Sequence, residues 1–121
     1  MNNLTQLNCN YENNYKDPLK RDDILEHLKT LDDWGYDTDK GHLIKKFRFK
    51  NFYHTMNFVN AVAWIANREA HHPDLQVSYG HCEVIFTTHD SGNQVTMNDL
   101  ICAAKVEALT LQGAFGPQAV L

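Results

Sequence analysis

From residue 52 to residue 71 apolar side chains recur at helical spacing for about five and a half turns, and Pro73 then ends the run by pushing His72 toward extended geometry. A helix this long and amphipathic has to be covered, so it organises the chain around it. Set ~100° apart, Phe52, Met56, Phe58, Val59, Val62, Ala63, Ile65 and Ala66 fill a broad arc of about half the circumference. Packing on one sheet needs a narrower stripe, and Tyr53 and Trp64 lie outside the arc on the remaining face. Self-association through this helix, as a homodimer or homotetramer, is therefore expected. The simpler reading is one exposed aromatic with no special role.

The flanking segments are shorter. Ile24, Leu25, Leu28 and Leu31 repeat at helical spacing, with Asp22 and Asp23 where the helix dipole favours anions, which predicts a first helix over residues 20–31. Residues 34–37 and 43–49 have strand character on either side of Thr38-Asp39-Lys40-Gly41, whose composition suits a reversal. Leu43, Phe47 and Phe49 share one strand face, and Lys45 breaks the alternation. After Pro73, Leu75, Val77 and Tyr79 alternate with polar residues, as do Cys82, Val84, Phe86 and Thr88 after Gly80-His81, giving a second hairpin. His89-Asp90-Ser91-Gly92 reads as a polar loop. Thr96 then opens a third helix with Asp99 three residues on, a variant of the capping box. Leu100, Ala103, Ala104, Val106 and Leu111 supply its apolar side, and Gly113 and Gly116-Pro117 are expected to stop it.

The order α-β-β-α-β-β-α, without a βαβ crossover, implies an α+β two-layer sandwich: a four-stranded antiparallel sheet with three helices on one face. Residues 1–16, rich in asparagine and poor in apolar periodicity, are expected to be a flexible extension outside the core, leaving residues 17–121 as a single domain. Eleven basic against fifteen acidic residues give a net charge of −4, which disfavours direct binding to nucleic acid. No apolar run is long enough for a signal peptide or a membrane span. Cys9, Cys82 and Cys102 are odd in number and far apart, so reduced thiols in the cytoplasm fit best. No Gly-rich phosphate loop is present.

His71, His72 and His89 fall at element ends, where sites are built. Convergence on one rim requires that the end of the second helix pack beside the end of the fourth strand. Adjacent histidines diverge by ~100° on a helix, which argues against a metal site. Cys82 and Cys102 look like small core residues rather than nucleophiles. Acid-base chemistry by imidazole is what the residues offer, against the plainer possibility that His71 only caps a helix. Replacing His71 and His89 together by Ala is expected to abolish such chemistry and leave the fold nearly intact.

Residues 71–99 resemble the pterin-4a-carbinolamine dehydratase family. The matching residues are His71-His72-Pro73-Asp74, Tyr79, Thr88-His89 and Asp99, and the resemblance extends back through Phe49-Lys50-Asn51-Phe52 and Trp34. Family members often carry acids where this chain has Asn67 and Ala70; Glu69 is the nearby acid that would compensate. The resemblance implies loss of water from 4a-hydroxytetrahydropterin to give quinonoid dihydropterin, with no cofactor or metal. It further implies His71 and His89 as acid and base, and His72 as the residue orienting the ring. Pro73, Thr87, Thr88 and Asp90 would meet the pterin. An aromatic amino-acid hydroxylase, the source of the substrate, is the implied pathway partner. Some relatives also steady a transcription factor, so a dimerising or co-activating binding protein is the alternative reading.

Overall fold

A computed structural model describes residues 4–111. The elements are α1 (Arg21–Leu28), β1 (Gly35–Asp37), β2 (His42–Arg48), α2 (Phe52–Glu69), β3 (Asp74–Val77), β4 (His81–Phe86) and α3 (Met97–Ala108). Short 3-10 turns lie at Leu4–Gln6, Asn14–Lys16, His89–Ser91 and Leu109–Leu111. The strands form one antiparallel sheet in the order β1-β2-β4-β3, so the two hairpins meet at β2 and β4. This is the α+β arrangement the element order implied. No helix among the described residues is long and apolar enough to cross a membrane.

Leu43 pairs with Phe86 and Phe47 with Cys82, which puts these four side chains and Val84 on one buried face. Phe58 of α2 lies against that face, its ring 4.6 Å from Phe47 and 5.0 Å from Phe49. Val62, Leu100, Ile101 and Ala103 complete the layer and are fully buried. Lys45 shares the inward face without spoiling it, because its apolar stem runs along the core while its ammonium reaches the border. Nζ donates to Glu107 Oε1 at 2.7 Å and to the Asp32 carbonyl at 2.8 Å.

Element ends differ from the sequence reading where local closure intervenes. α2 stops at Glu69 because Ala70 takes the left-handed conformation, φ 54°, and the His71 N–H returns to the Ala66 carbonyl at 3.1 Å. His71 therefore leaves the helix two residues before Pro73. Leu111, expected on the apolar side of α3, is 86% exposed in the terminal 3-10 turn, and Gly113, Gly116 and Pro117 lie outside the described residues.

The largest correction concerns the amino-terminal segment, which was expected to stand outside the core. Leu4 is 3% exposed within the core, and Leu7 and Cys9 pack against it. Asn10 and Asn98 exchange two hydrogen bonds of 3.0 Å, Cys9 N–H donates to Glu69 Oε1 at 2.8 Å, and Lys105 Nζ donates to the Thr5 carbonyl at 2.9 Å. A polar sequence here reflects docking by specific hydrogen bonds as well as by apolar area.

Candidate functional site

The left-handed turn at Ala70 turns the His71 ring inward, where it stacks on Phe86 with 6.0 Å between centroids and 9° between planes. Nε2 lies 2.6 Å from Asp99 Oδ1. Asp99 sits in the first turn of α3, fully buried, and a bare carboxylate there would be costly. Its other oxygen accepts from the Thr96 N–H and the Thr88 hydroxyl, both at 2.8 Å. Thr88 has one proton and spends it on Asp99, so in the 2.8 Å contact between the two hydroxyls Thr96 donates. Alongside these donors and the helix dipole, Oδ1 accepts the Nε2–H of His71. That fixes the tautomer: Nδ1 is left with its lone pair, able to accept a proton and return it.

The same carboxylate fixes the turn that carries His89. Thr88, hydrogen-bonded to Asp99, is the residue before the His89–Ser91 turn. The turn is closed by Ser91 N–H and Asn93 N–H, both donating to the Thr88 carbonyl at 3.1 Å, and by a Thr88 to Gln94 bridge. His89 is exposed on it, its Nδ1–H donating to Asn93 Oδ1 at 2.8 Å, which leaves Nε2 as the ring's free nitrogen. From the other side, Thr87 Oγ1 donates to the Gly41 carbonyl at 2.6 Å. Gly41 has φ +68°, and a Cβ there would stand 2.0 Å from the Asn93 carbonyl oxygen. The first hairpin turn thus packs directly on the His89 loop.

The remaining sequence-derived residues divide by exposure. His72 is exposed and donates from Nε2 to Asn67 Oδ1 at 3.1 Å, so one of the positions lacking an acid still holds the ring with a neutral acceptor. Pro73 is half-buried between His72 and β3, and Asp90 is exposed in the 3-10 turn. The hydroxyls of Thr87 and Thr88 are committed to the protein. Glu69 does not replace the missing acids: it is buried, holding the Cys9 N–H, with Lys105 Nζ 3.8 Å away. Among the described residues no three His, Cys, Asp or Glu side chains gather as a metal ion would require.

Two residues of the site were given no site role by the sequence reading. Asp99 was visible only as a helix cap and as part of the family pattern, although a cap facing a histidine has the chemistry to orient it. Tyr11 carried no signal at all. Its hydroxyl lies 2.9 Å from the Ala70 carbonyl and 3.1 Å from that of Glu69, and its ring centroid is 6.4 Å from His71.

The profile of the pterin 4 alpha carbinolamine dehydratase family matches residues 17–109. A protein of Nitrosospira multiformis with the provisional name pterin-4-alpha-carbinolamine dehydratase is 50% identical over 93 residues, covering 76% of this chain and 79% of its own. One of Chromobacterium violaceum, named in the same way, is 48% identical over 107 residues, covering 88% and 95%. Among solved structures, a transcriptional coactivator/pterin dehydratase from Brucella melitensis superposes with a TM-score of 0.72 at 30% identity, over 77% of this chain and 98% of that one. A pterin dehydratase-like protein described as a RuBisCO assembly factor of the alpha-carboxysome shares the fold, with a TM-score of 0.54 at 20% identity over 70% of this chain and 92% of that one.

Proposed function

The chain belongs to the pterin 4 alpha carbinolamine dehydratase family, and from that premise we propose that it is a hydro-lyase converting 4a-hydroxytetrahydropterin to quinonoid dihydropterin by histidine acid-base catalysis. A carbinolamine loses its hydroxyl when that oxygen is protonated while the adjacent nitrogen pushes in its electrons and gives up a proton. One acid and one base near neutral pKa are sufficient. Nδ1 of His71 and Nε2 of His89 are the nitrogens left over by their hydrogen bonds, and they take these two roles, exchanging them between substrate epimers. His72 orients the pterin ring, with Pro73 and Asp90 beside it. Thr87 and Thr88 act as positioning residues, because their hydroxyls hold the loop and Asp99.

The observation that carries this reading is the buried Asp99, which binds His71 through one oxygen and the base of the His89 turn through the other. A helix-capping histidine would need no buried carboxylate. The substrate is the pterin left by an aromatic amino-acid hydroxylase, and the setting is the cytoplasm, a reading supported by Cys9, Cys82 and Cys102 being unpaired in this structure. Self-association belongs to the same proposal: Trp64 on α2 is 62% exposed, with Arg68 stacked 5.3 Å from its ring, an aromatic surface a second copy would cover.

The direct test is the decay of chemically generated 4a-carbinolamine with and without purified protein. Acceleration that disappears in the double variant His71→Gln, His89→Ala supports the assignment. A folded wild-type protein that leaves the decay unchanged would overturn it and favour the binding role. Sedimentation of the wild type against Trp64→Glu tests the association, which is wrong if both run as monomers.

A further inference from the structure

Cys9 and Cys102 are 93 positions apart in sequence, yet their sulfurs lie 3.5 Å apart where the amino-terminal segment crosses α3. We propose that these two thiols form a reversible disulfide within one chain when a peroxide or a small-molecule disulfide is present, stapling the amino-terminal segment to α3. The third cysteine, Cys82, lies in β4 on the buried face of the sheet and takes no part.

The surroundings assign the two sulfurs different tasks. Cys9 is half-buried and follows a 3-10 turn in a segment without regular structure, so it is the more accessible of the two and its backbone can yield. Cys102 is fully buried in the middle of α3 and is held by the helix. Cys9 Sγ–H points to the Asn98 carbonyl at 3.6 Å, which makes Cys102 the donor in the sulfur-sulfur contact. That hydrogen bond and burial push the Cys102 thiol well above its ordinary range. Cys9 is therefore the attacking sulfur and Cys102 the resolving one.

With a peroxide, the Cys9 thiol gives up its proton and the thiolate attacks one oxygen, the O–O bond breaks, and the departing hydroxide takes that proton, leaving a sulfenic acid and one water. Cys102 sulfur then displaces hydroxide from Cys9 sulfur. Its proton leaves with that hydroxide as a second water. Two thiols are oxidised by two electrons, and the peroxide is reduced to two waters. With a small-molecule disulfide, Cys9 forms a mixed disulfide and Cys102 expels the second thiol. The sulfurs must approach by about 1.5 Å to bond, a movement the strap at Cys9 can supply while the Asn10 to Asn98 pair beside it keeps the register.

Mass spectrometry of the intact, folded full-length chain tests this without reference to catalysis. After exposure to a small excess of hydrogen peroxide or oxidised glutathione, the monomer should lose the mass of two hydrogens and keep one titratable thiol. Non-reducing peptide mapping should join the Cys9 and Cys102 peptides, a reductant should restore the thiols, and amide exchange in residues 5–10 should slow on oxidation. Cys9→Ser and Cys102→Ser should each lose the mass change, and Cys82→Ser should keep it. An unchanged mass, a persistent glutathione adduct, further oxygenation of Cys9 without a link, or a cross-link between copies would each overturn the proposal. The wild-type map decides the matter even if a variant fails to fold.

Discussion

Nε2 of His71 lies 2.6 Å from Oδ1 of Asp99, so a residue just past the end of α2 and one in the first turn of α3 share a buried, charge-assisted hydrogen bond. The pair has a structural duty beside the chemical one proposed for it. Removing the imidazole leaves a buried carboxylate short of a donor, which costs ~1 to 3 kcal/mol or more.

The expectation that alanine at both His71 and His89 would leave the fold nearly intact therefore needs amending. His71→Ala should lower the thermal midpoint by several degrees, whereas His71→Gln, whose amide can still donate to Asp99, should lower it less. Both should lose about 10² to 10⁴ in catalysed rate. His89 is exposed, and His89→Ala should lose rate with little change in midpoint. Calorimetry beside the carbinolamine decay assay separates the two effects; equal midpoints for Ala and Gln at position 71 would refute the structural part.

Ala70 stands in the left-handed region at φ 54°, where an L-residue with a Cβ is strained by roughly 1 to 2 kcal/mol. Glycine removes that strain at some cost in unfolded-state entropy. Ala70→Gly should therefore stabilise the protein by up to about 1 kcal/mol and raise the thermal midpoint by a few degrees, with Tyr11 still donating to the residue 70 carbonyl. A lower midpoint would mean that the methyl group packs more productively than the backbone is strained.

The legible part of the molecule was the part governed by periodicity. The apolar repeat of α2, the alternation in β2 and β4 and the Thr96 and Asp99 cap each appear where local pattern placed them. Their places at element ends singled out the three histidines, and the resemblance implied a role for each. Contacts between segments distant in sequence were illegible. Nothing near Asp99 in sequence announces that it faces His71, and the asparagines of the first sixteen residues gave no hint that Asn10 would pair with Asn98. Polar composition reports how little apolar area a segment has to bury; it does not report whether another surface presents matching donors and acceptors.

Two buried thiols set an alkaline limit. Cys82 is pushed up from 9.0 to about 11 by burial and by Glu83, and Cys102 is raised further by its contact with Cys9 and by burial. Above pH ~9 the unfolded chain releases these protons while the folded one holds them, so the stabilisation is complete below that pH and is lost as pH rises toward the folded values. Stability should fall between pH 9 and about 11, each thiol contributing a slope approaching ~1.4 kcal/mol per pH unit. Denaturant titrations across this range, under reducing conditions, should show a shallower slope for Cys82→Ser than for wild type. Identical slopes would remove Cys82 from the account.

Gly41 links the first hairpin to the His89 loop. It is buried, its φ of +68° disfavours a side chain, and its carbonyl accepts the Thr87 hydroxyl. A methyl group would stand 2.0 Å from the Asn93 carbonyl oxygen, with the Asn93 carbonyl carbon at 3.1 Å and the Gln94 Cα at 3.6 Å, so it is backbone and not a side chain that would have to move. Asn93 also accepts from His89 Nδ1, so the displacement passes directly to the ring assigned to proton transfer. Gly41→Ala should cost about 2 kcal/mol or more from strain and lost contact. Beyond that, the folded fraction should show a lower rate constant for dehydration with the His71 to Asp99 pair undisturbed. Measuring the rate per folded molecule, with His71 followed by its imidazole NMR signals, distinguishes a displaced loop from simple unfolding. A normal rate per folded molecule would show that the loop tolerates the movement and that the position of His89 is not set by Gly41.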